Sequence, residues 1–280
     1  KPELVPIIEQ ELESQFMIAP SIIAGDMSNL EKEVKRCEVG RADYIHLDVM
    51  DGQFVPNKTF DHTKIKDLRS LTLIPFDTHL MINEPVKHVR EYIHAGSDII
   101  TVHAEVCDES SFGEICDTLQ SNQVGIGLAI NPDTELPQWS YKFVPMLDQV
   151  IIMSVVPGKS GQKFIDSTHE KIQRISKDLK QHNFEGYIEA DGGVNLENVG
   201  SCFEDGARVF VGGSSIVGQS DVRLIIKEFR NHVLKSRRRS LIKKAHDLGG
   251  VELVNDWIDL HIVGKKKDSL IQIAKELGSQ

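Results

Sequence analysis

Three short stretches carry groups with metal-ligand chemistry at alternate positions. In YIHLDVM (44–50) His46, Asp48 and Met50 stand two apart, and in PFDTHLMI (75–82) Asp77, His79 and Met81 repeat the spacing. Alternate side chains of an extended strand share a face, so each trio points one way. A third stretch, GYIEADGG (186–193), brings Asp191 to a tight Gly192-Gly193 turn. His46, Asp48, His79 and Asp191 make a set of two imidazoles and two carboxylates. Such a set suits one borderline divalent cation, zinc, iron(II), manganese or cobalt, and suits calcium poorly, because calcium prefers oxygen ligands throughout. The same four residues also read as buried polar groups that satisfy one another or pair with lysines of neighbouring strands. Asp77, one alternation deeper, is positioned to orient a ligating histidine, Asp51-Gly52 is a turn signal, and His103 reads either as a group behind the ligands or as core.

Two further features belong to the same chemistry. Met50, Met81 and Met153 fall at strand ends, where methionine usually fills core but here would form an apolar collar that keeps water from a charged intermediate. Glycine-rich loops follow three strands: Pro157-Gly158-Lys159-Ser160-Gly161-Gln162, Asp191-Gly192-Gly193 and Gly212-Gly213-Ser214-Ser215. Glycine is ordinary turn punctuation, but such loops side by side offer backbone N–H groups to a phosphate dianion.

The elements that must position these groups are legible as a repeat. A short, β-rich apolar run occurs eight times (16–23, 44–50, 75–82, 98–105, 124–130, 149–155, 186–193 and 208–215), each followed by a segment of helical character. Strands this apolar are buried on both faces, and eight β-then-α units predict a closed parallel (β/α)8 barrel with its functional residues at the C-terminal strand ends. Ser28 with Glu31 reads as a capping box ahead of LEKEVKRC, stopped by Gly40. Pro85 opens, and Gly96 closes, a helix in EPVKHVREYIHAG. Asn195 is placed to cap LENVGSCFEDG up to Gly206, and residues 168–180 and 221–234 carry helical spacing. The domain reading is an N-terminal helical segment (1–15), a barrel domain (16–234) and a basic helical C-terminal extension (235–280). Within the extension SLIKKAHDLG (240–249) is similar to SLIQIAKELG (269–278), a weak sign of a duplicated helix.

Charge narrows the class of partner. The net charge is −10, yet residues 235–280 hold ten Lys and Arg against six Asp and Glu, which leaves the first 234 residues at −14. A body that acidic is a poor general binder of nucleic acid, so no nucleic-acid partner is expected. An anionic ligand would need a local positive feature. The basic runs 237–239 and 265–267 fit a solvated face of helices that pack on the barrel or on a second subunit, and a homo-oligomer is expected. No run of 18 apolar residues exists, so no membrane helix is expected, and the first fifteen residues lack the apolar stretch of a secretion signal. Cys37, Cys107, Cys116 and Cys202 show no C-x-x-C spacing and read as buried thiols of a reducing compartment. A cytoplasmic protein is expected, or an organellar one after removal of a targeting segment.

HLDVMDGQFVPN (46–57), DTHLMI (77–82), PGKSGQKFI (157–165), EADGGVN (189–195) and VGGSSI (211–216) strongly resemble the ribulose-phosphate 3-epimerase family over about residues 16–234. The resemblance implies an isomerase of carbohydrate metabolism that takes D-ribulose 5-phosphate to D-xylulose 5-phosphate. It implies His46, Asp48, His79 and Asp191 as metal ligands and Asp48 and Asp191 as the acid and base; His79 and the collar of Met50, Met81 and Met153 are then expected beside the substrate. Ser21 would contact the sugar, and Gly158, Lys159, Ser160, Gly161, Gly192, Gly193, Gly213 and Ser214 would hold the phosphate. Epimerising a carbon next to a ketone needs a proton removed from one face and returned on the other, which two flanking carboxyls can do while a cation stabilises the enediolate. The chain departs from the family at Lys159 and Ser160, where Phe and Gly are usual, at Val156, where a polar residue is usual, and at Asp61-His62 in place of Gly-Pro. These changes leave proton transfer intact and open the identity of the sugar. An epimerase of another ketose phosphate, such as a hexulose 6-phosphate, is one alternative. A catalytically silent barrel that binds a partner through its tail is another. A decarboxylase using Asp-x-Lys is disfavoured, because the strand reads His46-Leu47-Asp48.

Overall fold

The computed structural model describes residues 15–247. Eight parallel strands form its frame: β1 Met17–Pro20, β2 Ile45–Met50, β3 Phe76–Met81, β4 Ile99–His103, β5 Gly125–Ile130, β6 Gln149–Met153, β7 Tyr187–Asp191 and β8 Val209–Gly212. They pair in the order β1-β8-β7-β6-β5-β4-β3-β2. A parallel bridge from Ser21 to His46 brings β1 against β2 and closes the ring.

The helices are α1 Leu30–Val39, α2 His62–Arg69, α3 Pro85–His94, α4 Glu109–Ser121, α5 Thr168–Gln181, α6 Val199–Asp205 and α7 Val222–Asp247. Their apolar faces cover the outside of the barrel. Alternation sends Ile18, Leu47, Leu80, Ile100, Val102 and Phe210 outward from the strands into one continuous core with Phe112 and Phe229 of the helices. Burying side chains of this size contributes about 1.5–3 kcal/mol each, so the space between strands and helices is the main source of stability. The other alternation points into the barrel. There the apolar residues form only small separate groups, Ala19 with Val209 and Val211 on one wall and Ala129 with Ile151 and Met153 on another. Between them lies a buried polar column on β2, β3, β4, β6 and β7.

Several local expectations change. No α-helix links β5 to β6. Pro132, Pro137 and Pro145 lie there, and proline lacks the N–H and blocks the preceding turn, so two 3-10 turns, Gln138–Lys142 and Val144–Met146, take the helix's place. Ser28 does not cap α1, because its N–H and hydroxyl both go to Asp26 Oδ1, at 3.0 and 2.5 Å. Asn29 caps instead, accepting from the Lys32 N–H at 3.2 Å. Asn195 caps a short turn, accepting from the Glu197 N–H at 2.8 Å, and α6 begins only at Val199. The last helix runs without a break through Leu234 to Asp247. The expected N-terminal helical segment up to residue 14, the second copy of the duplication and the extension beyond Asp247 lie outside the described residues.

Candidate metal centre and active site

Register assembles the site. β2 and β3 pair His46 with Asp77, Asp48 with His79 and Met50 with Met81, so the two alternating trios stack in layers inside the barrel. β7 stands three strands from β2 around the wall and brings Asp191 to the same level. One ligand atom each from His46, Asp48, His79 and Asp191 lies within 4.8 Å of all the others, and all four residues are buried. His46 Nε2 is 3.4 Å from Asp48 Oδ1 and 3.7 Å from Asp191 Oδ2, while His79 Nδ1 is 3.4 and 3.3 Å from the same two oxygens.

The fit of this set to a cation can be tested on the orphaned atoms. Among the described residues His46 Nε2 and His79 Nδ1 are buried with no hydrogen-bond partner. An unmet buried polar atom costs about 1–3 kcal/mol. An ion with bonds of 2.0–2.1 Å in a tetrahedron separates its ligand atoms by about 3.3–3.4 Å, close to the four spacings seen here. The residues therefore fit a divalent metal ion.

Each imidazole is oriented by its other nitrogen. His46 Nδ1 meets Asp77 Oδ2 at 2.6 Å, and Gln149 Nε2 donates to Asp77 Oδ1 at 2.9 Å. His79 Nε2 meets His103 Nε2 at 2.8 Å, and His103 Nδ1 meets Glu105 Oε2 at 3.0 Å. The carboxylates are also held. The Ser21 hydroxyl donates to Asp48 Oδ2 at 2.5 Å, and Ser154 fixes the end of β7 by donating from its N–H and hydroxyl to the Asp191 carbonyl at 2.7 and 2.9 Å.

The electrostatics report a surplus of negative charge. Burial alone would lower the pKa of His46, but Asp48, Asp77 and Glu189 outweigh it and hold the imidazole well above its usual value. Burial likewise opposes charge on His79, and Asp191 and Asp48 overcome it. Asp48 is pushed up by burial, yet His46 and His79 pull its carboxyl below the usual range. Burial, then Asp77, raises the fully enclosed Glu189 well above the usual carboxylate range. His103 goes the other way, with burial lowering it to about 4, so it is neutral.

A cavity opens above this cluster. Asp48 and Asp191 are in its floor, Ser21 and the buried Met50, Met81 and Met153 line its sides, and Gly158, Lys159, Ser160, Gly161, Gly192, Gly193, Gly213 and Ser214 form its rim. His46 and His79 are not in the lining; they sit beneath the floor. Gly193 has φ +66°, and a Cβ there would lie 2.4 Å from the Phe164 backbone nitrogen, so the turn after Asp191 requires glycine. Gln162 holds the β6 loop by donating to the Val156 and Lys159 carbonyls at 2.6 and 3.0 Å, and Asn57 donates to the Gly158 carbonyl at 2.6 Å. Asp51 serves its turn, accepting from the Gln53, Phe54 and Asn83 N–H groups.

Glu105, Glu189, Gln149 and Ser154 were not singled out by sequence reasoning. Two of them carried the signal already used: His103-Ala104-Glu105 and Glu189-Ala190-Asp191 show the same alternate spacing as His46-Leu47-Asp48. Gln149 and Ser154 carried none, since nothing local marks a polar residue whose partner stands on another strand, across the barrel for Gln149 and on the adjacent β7 for Ser154.

Comparison with known proteins gives the family and the fold. The model of the ribulose-phosphate 3 epimerase family matches residues 17–217. The chain is 40% identical over 214 residues to the ribulose-phosphate 3-epimerase of Bacillus subtilis (strain 168), covering 76% of this chain and 97% of that protein. It is 37% identical over 220 residues to the chloroplastic ribulose-5-phosphate-3-epimerase of Arabidopsis thaliana, covering 79% and 78%. Among solved structures, 3-hexulose-6-phosphate synthase from Salmonella typhimurium superposes with a TM-score of 0.58 at 14% identity over 79% of this chain and 99% of that one, a likeness of fold alone.

Proposed function

This chain belongs to the ribulose-phosphate 3-epimerase family and is an isomerase, and from that premise we propose that it inverts C3 of D-ribulose 5-phosphate to give D-xylulose 5-phosphate, with Asp48 and Asp191 moving the proton. The observation that carries this reading is the meeting of two carboxylates on the floor of a glycine-rimmed cavity with two unpartnered imidazole nitrogens beneath it.

The chemistry follows from the positions. A proton beside a ketone leaves only if the charge that develops on the ketone oxygen is stabilised. A divalent cation held by His46, Asp48, His79 and Asp191 would supply that stabilisation as a Lewis acid. Asp48 projects from β2 and Asp191 from β7, so a sugar lying between them meets a carboxyl on each face. One takes the C3 proton and the other returns one to the opposite face, which requires one carboxyl ionised and one protonated at the start, a coupled titration of the pair. The Ser21 hydroxyl donates to the second oxygen of Asp48, a contact that suits the ionised member of the pair. Met50, Met81 and Met153 exclude water from the charged species. The loop amides at the rim receive the phosphate, with Lys159 the one cationic side chain in the lining among the described residues.

The test is incubation of the metal-loaded protein with D-ribulose 5-phosphate in D2O, followed by NMR at C3. Deuterium at C3 together with xylulose 5-phosphate is expected. Exchange without product would mean that only one carboxyl addresses this sugar, and would move the assignment to another ketose phosphate. Absence of both would overturn the substrate.

A further inference from the structure

The two imidazoles beneath the cavity are oriented by different devices. His46 Nδ1 meets a carboxylate directly, at 2.6 Å from Asp77. His79 cannot copy this, because its register partner on β4 is Thr101 rather than an acid. A second imidazole, His103, is interposed at 2.8 Å, and the carboxylate stands behind it on Glu105, in the 3-10 turn Ala104–Val106 that follows β4.

In the neutral form that a metal ligand requires, proton counting fixes the state of this chain. A neutral imidazole carries one N–H, and only one hydrogen fits between His79 Nε2 and His103 Nε2. The Glu105 carboxylate is acceptor-only, so His103 must direct its N–H from Nδ1 to Glu105. His103 Nε2 is then a lone pair, and the hydrogen between the rings belongs to His79 Nε2. That leaves His79 Nδ1 as the lone pair facing Asp48 and Asp191. The opposite tautomer would set the His103 Nδ1 lone pair against a carboxylate, and would point a His79 N–H at the four-atom cluster.

Glu105 is fixed in turn. Its Oε1 accepts from the Asn131 N–H at 2.7 Å, and Lys171 of α5 donates to the Asn131, Pro132 and Thr134 carbonyls at 2.6, 3.0 and 2.7 Å. The Phe54 ring, with its centroid 4.6 Å from that of His103, packs against the relay. We propose that His103 and Glu105 are positioning residues that set the tautomer of His79 and so make its Nδ1 a metal ligand, an inference that rests on the metal reading above.

Both carboxylate oxygens of Glu105 are engaged, Oε2 by His103 and Oε1 by Asn131. An amide has a single acceptor oxygen, so Glu105→Gln must leave one N–H facing another donor. The test titrates metal-free protein with cobalt(II), reading the visible absorption of the bound ion and its affinity by competition with a chelator. Glu105→Gln and His103→Phe are expected to bind cobalt roughly 10–100-fold more weakly, with altered spectra. His103→Gln, whose amide oxygen can accept from His79 Nε2–H, is expected to recover most of the affinity. Melting of the metal-free variants separates this effect from general unfolding. Wild-type affinity and spectrum in both Glu105→Gln and His103→Phe would overturn the proposal, as would His103→Gln binding no better than His103→Phe. A wild-type protein that takes up no cobalt would overturn the metal reading itself, a different result from equal binding by all variants.

Discussion

Lys159 is exposed at the rim of a cavity whose floor holds two carboxylates, in a chain whose first 234 residues sum to −14. A phosphate dianion approaching this site meets repulsion at long range and one cation at short range. Lys159 also stands where the family usually has Phe, so its charge is a property of this chain. It touches neither Asp48 nor Asp191, and its contribution should therefore fall on binding rather than on proton transfer. Lys159→Ala is expected to raise KM for the sugar phosphate by about 3–30-fold, corresponding to a charge-assisted contact of roughly 0.7–2 kcal/mol, with kcat within about twofold. Steady-state kinetics at two salt concentrations checks it: the gap between wild type and variant should narrow as salt screens the charge. An equal loss in kcat would instead tie Lys159 to the chemical step.

At the scale of elements, most of the frame was legible because strand and helix periods are local. Alternation in His46-Leu47-Asp48 and Asp77-Thr78-His79 marked the inward faces, and Gly40 and Gly96 marked helix ends. The failures were also local competitions. Ser28 has a closer partner in Asp26 than in its own helix, and three prolines after β5 leave no room for a helix. The last helix joins the two regimes, since α7 continues past Leu234 and packs closely on α6. A Cβ at Gly200 of α6 would lie 2.8 Å from Ser236 Cβ and 3.3 Å from the His232 carbonyl. A chain ended after Leu234 loses the Ser236 side of that contact while every cavity residue stays. It is expected to be less stable by about 1–2 kcal/mol, lowering Tm by roughly 2–8 °C, with kcat retained. Calorimetry and a turnover assay on the truncated protein decide this, and lost turnover at unchanged Tm would refute it.

For the whole molecule, the barrel separates two kinds of interior. The shell between strands and helices is apolar and continuous, and it holds Cys37 and Cys202 as free, buried thiols. Burial pushes both up to about 12, while an unfolded thiol ionises near 9. Between these values the unfolded state releases protons that the folded state keeps, so stability is full below about pH 9 and falls as pH rises. At pH 10 the loss should be about 1–1.5 kcal/mol per thiol. Urea midpoints at pH 7.5 and 10 for wild type and the Cys37→Ala, Cys202→Ala double variant provide the check, with the variant expected to show the flatter dependence. Parallel curves would show that these thiols do not govern alkaline stability. The inside of the barrel is the opposite environment, where Asp77, Gln149, Glu189 and His46 share one buried network.

The sequence by itself determined the number of strands, the face on which each polar residue lies, and the types of ligand available, because a period of two is a property of a single extended segment. Tertiary structure alone decided which of those groups meet. Asp191 reaches Asp48 only because eight strands close into a ring, and Asp77 receives Gln149 across that ring. It also decided which nitrogen of each imidazole faces the cluster. That choice rests on what stands behind the ring, a carboxylate for His46 and an imidazole backed by Glu105 for His79, and those partners are set by register between strands rather than by any local pattern.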